Sequence, residues 1–193
     1  MVVPTLGNLV SGVIARSLAK GPRVYVNDMD KRMSGDGSQH EAAQDDPIAL
    51  ARAFSDARYG VALGGDPVEF RVGEGAGGIE SRLPAAYYAF ITAWNPEAES
   101  QPVGENLQSD DALVARLDGL GMDYRRSWAQ APDGAHREAG WLIAGIDPVR
   151  ADALGRDFGQ AGILSWVAGS TVRLHMLMAM PDGADLPHVD WIE

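Results

Sequence analysis

The chain contains no cysteine. Disulfides, thiol catalysis and thiolate zinc sites are therefore excluded. Its lysines are only Lys20 and Lys31, so every later positive side chain is an arginine. No stretch reaches the ~18 to 20 consecutive apolar residues that a membrane helix needs. The start resembles a signal peptide only in being apolar: no charged residue precedes Arg16, and Asn8, Ser11 and Gly12 interrupt the stretch. A cytoplasmic protein is expected. Positive charge is scarce too, with 16 Lys and Arg against 27 Asp and Glu and a net charge of −11. Nucleic-acid affinity rests mainly on neutralising phosphates, so neither nucleic acid nor a membrane is an expected partner.

What is present is globular: 46% of the 193 residues are apolar. The charge is unevenly spread. Residues 1–58 balance seven bases with seven acids, whereas residues 59–193 carry nine bases and twenty acids. Twelve of the fourteen aromatic residues, including all five tryptophans, also fall in the second part. Large aromatic side chains dominate core burial, so the folded unit should lie mainly there.

Leu6, Leu9, Val10, Val13, Ile14 and Leu18 have the spacing of a short helix. Residues 27–46 are polar and rich in turn formers, which predicts a linker. Residues 1–46 are thus expected to be a poorly ordered extension, residues 47–178 a single domain, and residues 179–193 a loosely held acidic tail. Within the domain, Asp46 and Pro47 predict a helix start running to Asp56. Tyr59–Leu63 and Val68–Val72 alternate as strands around Gly64-Gly65-Asp66-Pro67. Ile79–Leu83 predicts one helical turn before Pro84, and Ala86–Trp94 a strand ended by Asn95-Pro96. After a polar loop over residues 97–105, Leu107, Leu113, Leu117 and Leu120 mark an amphipathic helix over 106–120, with Gly121 as its stop. Met122–Trp128 and Gly140–Ile146 predict two strands, and Asp147-Pro148 starts a helix that ends at Phe158-Gly159. Gly162–Val167 and Thr171–Met178 predict a hairpin.

From Ala86 to Val167 the order is strand, helix, strand, strand, helix, strand. That is the order of a split βαβ, ferredoxin-like α+β fold: an antiparallel sheet with two main helices on one face and added edge strands.

The run Phe90-Ile91-Thr92-Ala93-Trp94-Asn95-Pro96 carries a resemblance, together with Asn106, Glu138 and Phe158-Gly159-Gln160. On these residues, residues 47 to 178 resemble a bacterial family of uncharacterised proteins, the domain of unknown function 3293. Relatives often place a hydroxyl residue just after the glutamate, where this chain has Ala139-Gly140. No activity or cofactor is implied by the resemblance.

Several motifs are better explained without chemistry. Gly73-Glu74-Gly75-Ala76-Gly77-Gly78 fits a dinucleotide fingerprint by spacing, but Pro84 cuts short the helix that must cradle the pyrophosphate. His40, His136, His175 and His188 lack metal-ligand spacing; His136 with Glu138 and His188 with Asp190 are weak pairs, and surface or capping roles are expected. Gly162-Ile163-Leu164-Ser165-Trp166 lacks the small residues of a nucleophile elbow. Trp94 and Trp166 are expected in the core, and Arg125, Arg126 and Arg137 on a solvated face rather than around an anion. No metal and no cofactor is expected.

The remaining constellation is Thr92, Asn95, Asn106, Glu138 and Gln160. Taken singly, Asn95 caps a turn, Asn106 caps a helix and Gln160 satisfies a helix end. Taken together, Thr92, Asn95, Asn106 and Gln160 are candidate ligand-binding residues, since uncharged amides suit a small polar molecule. Three functions follow as expectations. The first is a non-catalytic small-molecule-binding or regulatory domain. The second is an enzyme acting on a small polar substrate, with Glu138 as acid/base. The third is a protein-interaction module using a sheet edge or face.

Overall fold

The structure, a computed structural model, describes residues 46–99, 101–134 and 137–193. The helix expected near Leu6–Leu18, the linker, His40 and His136 lie outside the described residues. The described residues are of the α+β class, with four α-helices and one curled sheet of eight strands.

Helix α1 (Pro47–Asp56) starts where expected: Asp46 accepts a hydrogen bond from the Ile48 N–H at 2.9 Å, and Pro47 opens the first turn. Strands β1 (Arg58–Val61) and β2 (Val68–Phe70) form a hairpin. The glycine-rich segment after β2 leads into a four-residue helix, α2 (Gly77–Glu80), too short for a dinucleotide cradle. Then come β3 (Tyr87–Ile91), a 3-10 turn at Pro96–Ala98, α3 (Val103–Gly119), β4 (Asp123–Gln130) and β5 (Arg137–Ala144). Helix α4 (Pro148–Asp157) is capped by Asp147, which accepts from the Arg150 N–H at 3.0 Å, and Gly159 follows with φ 63°. Strands β6 (Gly162–Val167), β7 (Arg173–Met176) and β8 (Val189–Trp191) complete the chain.

The sheet order is β2-β1-β4-β5-β3-β6-β7-β8, antiparallel except for the β7–β8 pair. Period-two alternation along each strand sends residues to two separate cores. On one face, Leu113 and Leu117 of α3 and Ala151 and Leu154 of α4 pack on Ala89, Ile91, Ile143 and Ile163. On the other, Tyr59, Phe70, Tyr88, Phe90, Leu142, Leu164, Trp166 and Leu174 pack under α1 and α2. Curling closes this second face. Beyond β2, the Gly73 N–H donates to the Val172 carbonyl at 2.8 Å, and the Val172 N–H donates to the Glu74 carbonyl at 2.9 Å. Tyr88 stacks on Trp166 at 5.0 Å, and Tyr59 meets Phe90 edge-on at 5.2 Å. Trp94 and Trp166 are core residues, as expected.

Three local expectations are corrected. Helix α3 begins at Val103, not Asn106, because Pro102 supplies the extended residue before the first turn. Asp110 therefore sits mid-helix, where it accepts from Trp141 Nε1 at 2.9 Å and pairs with Arg126 at 2.8 Å. Strand β5 begins at Arg137, so Glu138 lies inside a strand instead of before one. The acidic tail is not loose: β8 pairs in parallel with β7, Asp190 pairs with Arg173, and Arg156 donates to the Ile192 carbonyl at 2.8 Å. Both contacts come from arginines on distant elements, β7 and α4, which no local pattern reveals.

Gly140 lets two strands meet. A Cβ there would lie 2.7 Å from Phe90 Cζ and 3.0 Å from the Ile91 carbonyl oxygen. The Gly140→Ala variant is expected to lose about 1–3 kcal/mol through overpacking, read as a lower urea midpoint.

Candidate functional site

The end of β3 and the starts of β5 and β6 bring Thr92, Asn95, Glu138 and Gln160 together on the face covered by α1. Glu138 alternates with Ala139 and shares its face with Tyr59, Phe90 and Ala129. That face is apolar, and only 4% of Glu138 is exposed. Thr92, Trp94, Asn95, Glu138 and Gln160 all line one pocket, whose cavity measures about 30 Å³. Aromatic side chains from α1, β1 and β3 (Phe54, Tyr59 and Phe90) line it as well. Such a space holds one or two waters or a small ligand group.

Asn95 is the hub. Its backbone is left-handed, with φ 51°, a conformation that asparagine tolerates better than most residues. Its backbone N–H donates to Asn106 Oδ1 at 2.8 Å, and Asn106 Nδ2 donates back to Asn95 Oδ1 at 3.0 Å. The Gln101 N–H also donates to Asn95 Oδ1, at 3.0 Å. With that oxygen occupied, Asn95 Nδ2 is turned to Glu138 Oε1 at 3.2 Å. The capping roles expected of the two asparagines are corrected: Asn95 makes no side-chain cap to the 3-10 turn, and Asn106 lies inside α3. Asn106 stands behind the pocket and holds Asn95 in place.

Thr92 has a turn role. Its hydroxyl donates to the Ala139 carbonyl at 2.9 Å and accepts from the Trp94 N–H at 3.0 Å. Gln160 does satisfy a helix end, donating from Nε2 to the Phe158 carbonyl at 3.3 Å. The same nitrogen also reaches the Trp94 carbonyl at 3.2 Å. That leaves Gln160 Oε1 and the second oxygen of Glu138 without a hydrogen-bond partner among the described residues. Burial pushes the Glu138 carboxyl up from its ordinary 4.5 to about 8, against the opposing pull of the Asn95 hydrogen bond. Burial also raises Tyr59, with Glu138 nearby adding to the effect, and its hydroxyl donates to the Phe54 carbonyl at 2.8 Å.

The arginines do not gather. Arg125 pairs with Asp123, Arg126 pairs with Asp110 over the Trp141 ring, and Arg137 lies over the Trp128 ring at 4.2 Å. Strand alternation sends Arg125 to the face opposite Arg126.

The surface role expected for His175 is also corrected. It is buried, with Nδ1 2.6 Å from Asp152 Oδ1 and Nε2 3.8 Å from Asp190 Oδ2. Sequence reasoning missed Asp152 altogether. Its position on the sheet-facing side of α4, four residues after Pro148, was the available signal. Among the described residues no group of three or more His, Asp or Glu is arranged to hold a metal ion. No helix among them is long and apolar enough to cross a membrane.

A family model described as a protein of unknown function (DUF3293) matches residues 91–163. The chain resembles that family over the stretch from the end of β3 to the start of β6, narrower than residues 47–178. All five candidate residues fall inside it. No curated protein and no solved structure matches the chain.

The buried acid has a measurable signature. Folding raises the Glu138 pKa, so between about 4.5 and about 8 the folded state binds more protons than the unfolded one. Stability is then full below pH 4.5 with respect to this group and falls by up to about 1.4 kcal/mol per pH unit until pH 8. Glu138→Gln keeps the shape and removes the titration. Chemical denaturation across that range is expected to show a slope in the wild type that is absent in the variant.

Proposed function

We propose that the chain is a small-molecule-binding protein whose site is the pocket around Glu138, Asn95 and Gln160. One observation supports this above the others. Two buried polar side chains reach the same pocket, and each keeps one oxygen that no described residue satisfies. Buried polar atoms are ordinarily paired, so unmet acceptors facing a cavity favour a ligand or water there. The Asn95–Asn106 pair supports the same reading, because it fixes Glu138 and leaves it little freedom to reorganise on binding.

On the same reading the central part of the chain is the split βαβ, ferredoxin-like arrangement, with β6-β3-β5-β4 as its inner strands and α3 and α4 on one face. The strand order and the packing of both helices on one core support it. The site then sits on the opposite face, roofed by the added elements α1 and β1.

A second reading is an enzyme on a small polar substrate, with Glu138 as acid/base. The carboxyl raised to about 8 favours it, because a group that titrates near neutral pH can both give and take a proton.

Thermal-shift screening with a library of small polar metabolites tests the proposal. A compound present at a hundredfold excess over its Kd is expected to stabilise the wild type by about 2.7 kcal/mol. It should stabilise Gln160→Ala much less, measured against that variant's own ligand-free transition. A library that shifts neither protein would overturn the reading. Turnover of a bound compound that fails in Glu138→Gln, with a pH limb near 8, would favour the enzyme.

A further inference from the structure

We propose that this pocket takes a small organic cation, the head of a primary alkylammonium, with the Glu138 carboxylate as counter-ion and the Gln160 carbonyl as second acceptor. This rests on the binding pocket proposed above and names its ligand class.

The first argument is the inventory of unused hydrogen-bonding capacity. Most side-chain donors on the wall are committed: both Gln160 Nε2 hydrogens to the Trp94 and Phe158 carbonyls, the Thr92 hydroxyl to Ala139, the Tyr59 hydroxyl to Phe54, and one of the two Asn95 Nδ2 hydrogens to Glu138. The indole N–H of Trp94 is unpartnered but has almost no accessible surface, so it does not face the space. The open acceptors are Gln160 Oε1 and, once Glu138 gives up its proton, the second Glu138 oxygen. An ammonium offers only donors.

The second argument is charge. Among the described residues, no lysine, arginine or histidine lines the pocket. A buried carboxylate without a counter-charge is costly, so in the empty pocket Glu138 holds a proton. A cationic ligand supplies the missing charge. Aromatic side chains form much of the remaining wall, and ring systems attract cations rather than anions. A cavity of about 30 Å³ suits an ammonium head with its alkyl chain leading outward. The net charge of −11 raises the local concentration of cations.

Binding then exchanges one proton for one ligand: the Glu138 carboxyl releases H⁺ to solvent as the ammonium enters. Tyr59, from β1, is the only other titratable group on the wall among the described residues, and burial keeps its hydroxyl protonated. Helix α1 and strands β3, β4, β6 and β7 contribute no charged side chain to the wall. Affinity should therefore rise about tenfold per pH unit as pH approaches 8, and level off above it.

The test is thermal shift of the full chain with n-propylammonium chloride, propionamide and potassium chloride at equal concentrations, from pH 6 to pH 8.5. Each shift is measured against the same protein without additive at the same pH. The expected result is stabilisation by propylammonium beyond that of potassium chloride, growing with pH and lost in Glu138→Gln. Stabilisation by propionamide with none by propylammonium would overturn the cation and leave the pocket standing. Equal shifts with potassium chloride would also overturn it, as a general salt effect. No shift with either organic compound, together with a blank metabolite screen, would overturn the pocket itself.

Discussion

Two asparagines eleven residues apart exchange hydrogen bonds, and the rest of the site depends on that exchange. The Asn106 side chain takes the Asn95 backbone N–H and gives one of its own amide hydrogens to the Asn95 side chain. Asn95 can then sit in the left-handed region at the end of β3 with its backbone donor satisfied. Its remaining amide group is forced toward Glu138. Buried polar groups joined in this way specify one geometry, since a partly broken network leaves unpaired atoms in a low-dielectric interior. The same exchange ties the end of the sheet to the first turns of α3.

Glu138 illustrates what this arrangement permits. A carboxyl on the inward face of a strand, among Tyr59, Phe90 and Ala129, opposes the alternation that builds a sheet core. Natural sequences break such a rule where a site requires it. The acid is kept at neutral pH by remaining protonated, and a single amide contact orients it. The cost of that burial and the capacity to bind a ligand have one origin: a desolvated oxygen whose partners are incomplete.

The second face of the sheet exists because the sheet curls. The hydrogen bonds between Gly73–Glu74 and Val172, together with α1 and the β1–β2 hairpin, turn an open antiparallel sheet into an enclosure. Without that closure the Glu138 face would be solvated and its carboxyl would be an ordinary surface acid. The buried His175–Asp152 pair and the Asp190–Arg173 pair hold the other margin, where β8 joins β7. Polar contacts at the edges thus protect an interior whose centre is apolar.

The sequence by itself determined the local elements and the identity of the polar set. Caps at Asp46 and Asp147, the glycine stops after α3 and α4, and strand alternation at Val68–Phe70 are decided by neighbours within a few residues. They were legible for that reason. Thr92, Asn95, Asn106, Glu138 and Gln160 could be named together, but Asn95, Asn106 and Gln160 each had a simpler local explanation as a cap or turn residue. Only the tertiary structure decided between those explanations. It pairs Asn95 with Asn106 across a loop, turns Glu138 inward from a strand that begins earlier than its apolar pattern, and buries His175 against a helix 23 residues away in sequence. Side-chain chemistry is set by what faces it, and contacts across the sheet and between layers are not encoded in any window of adjacent residues.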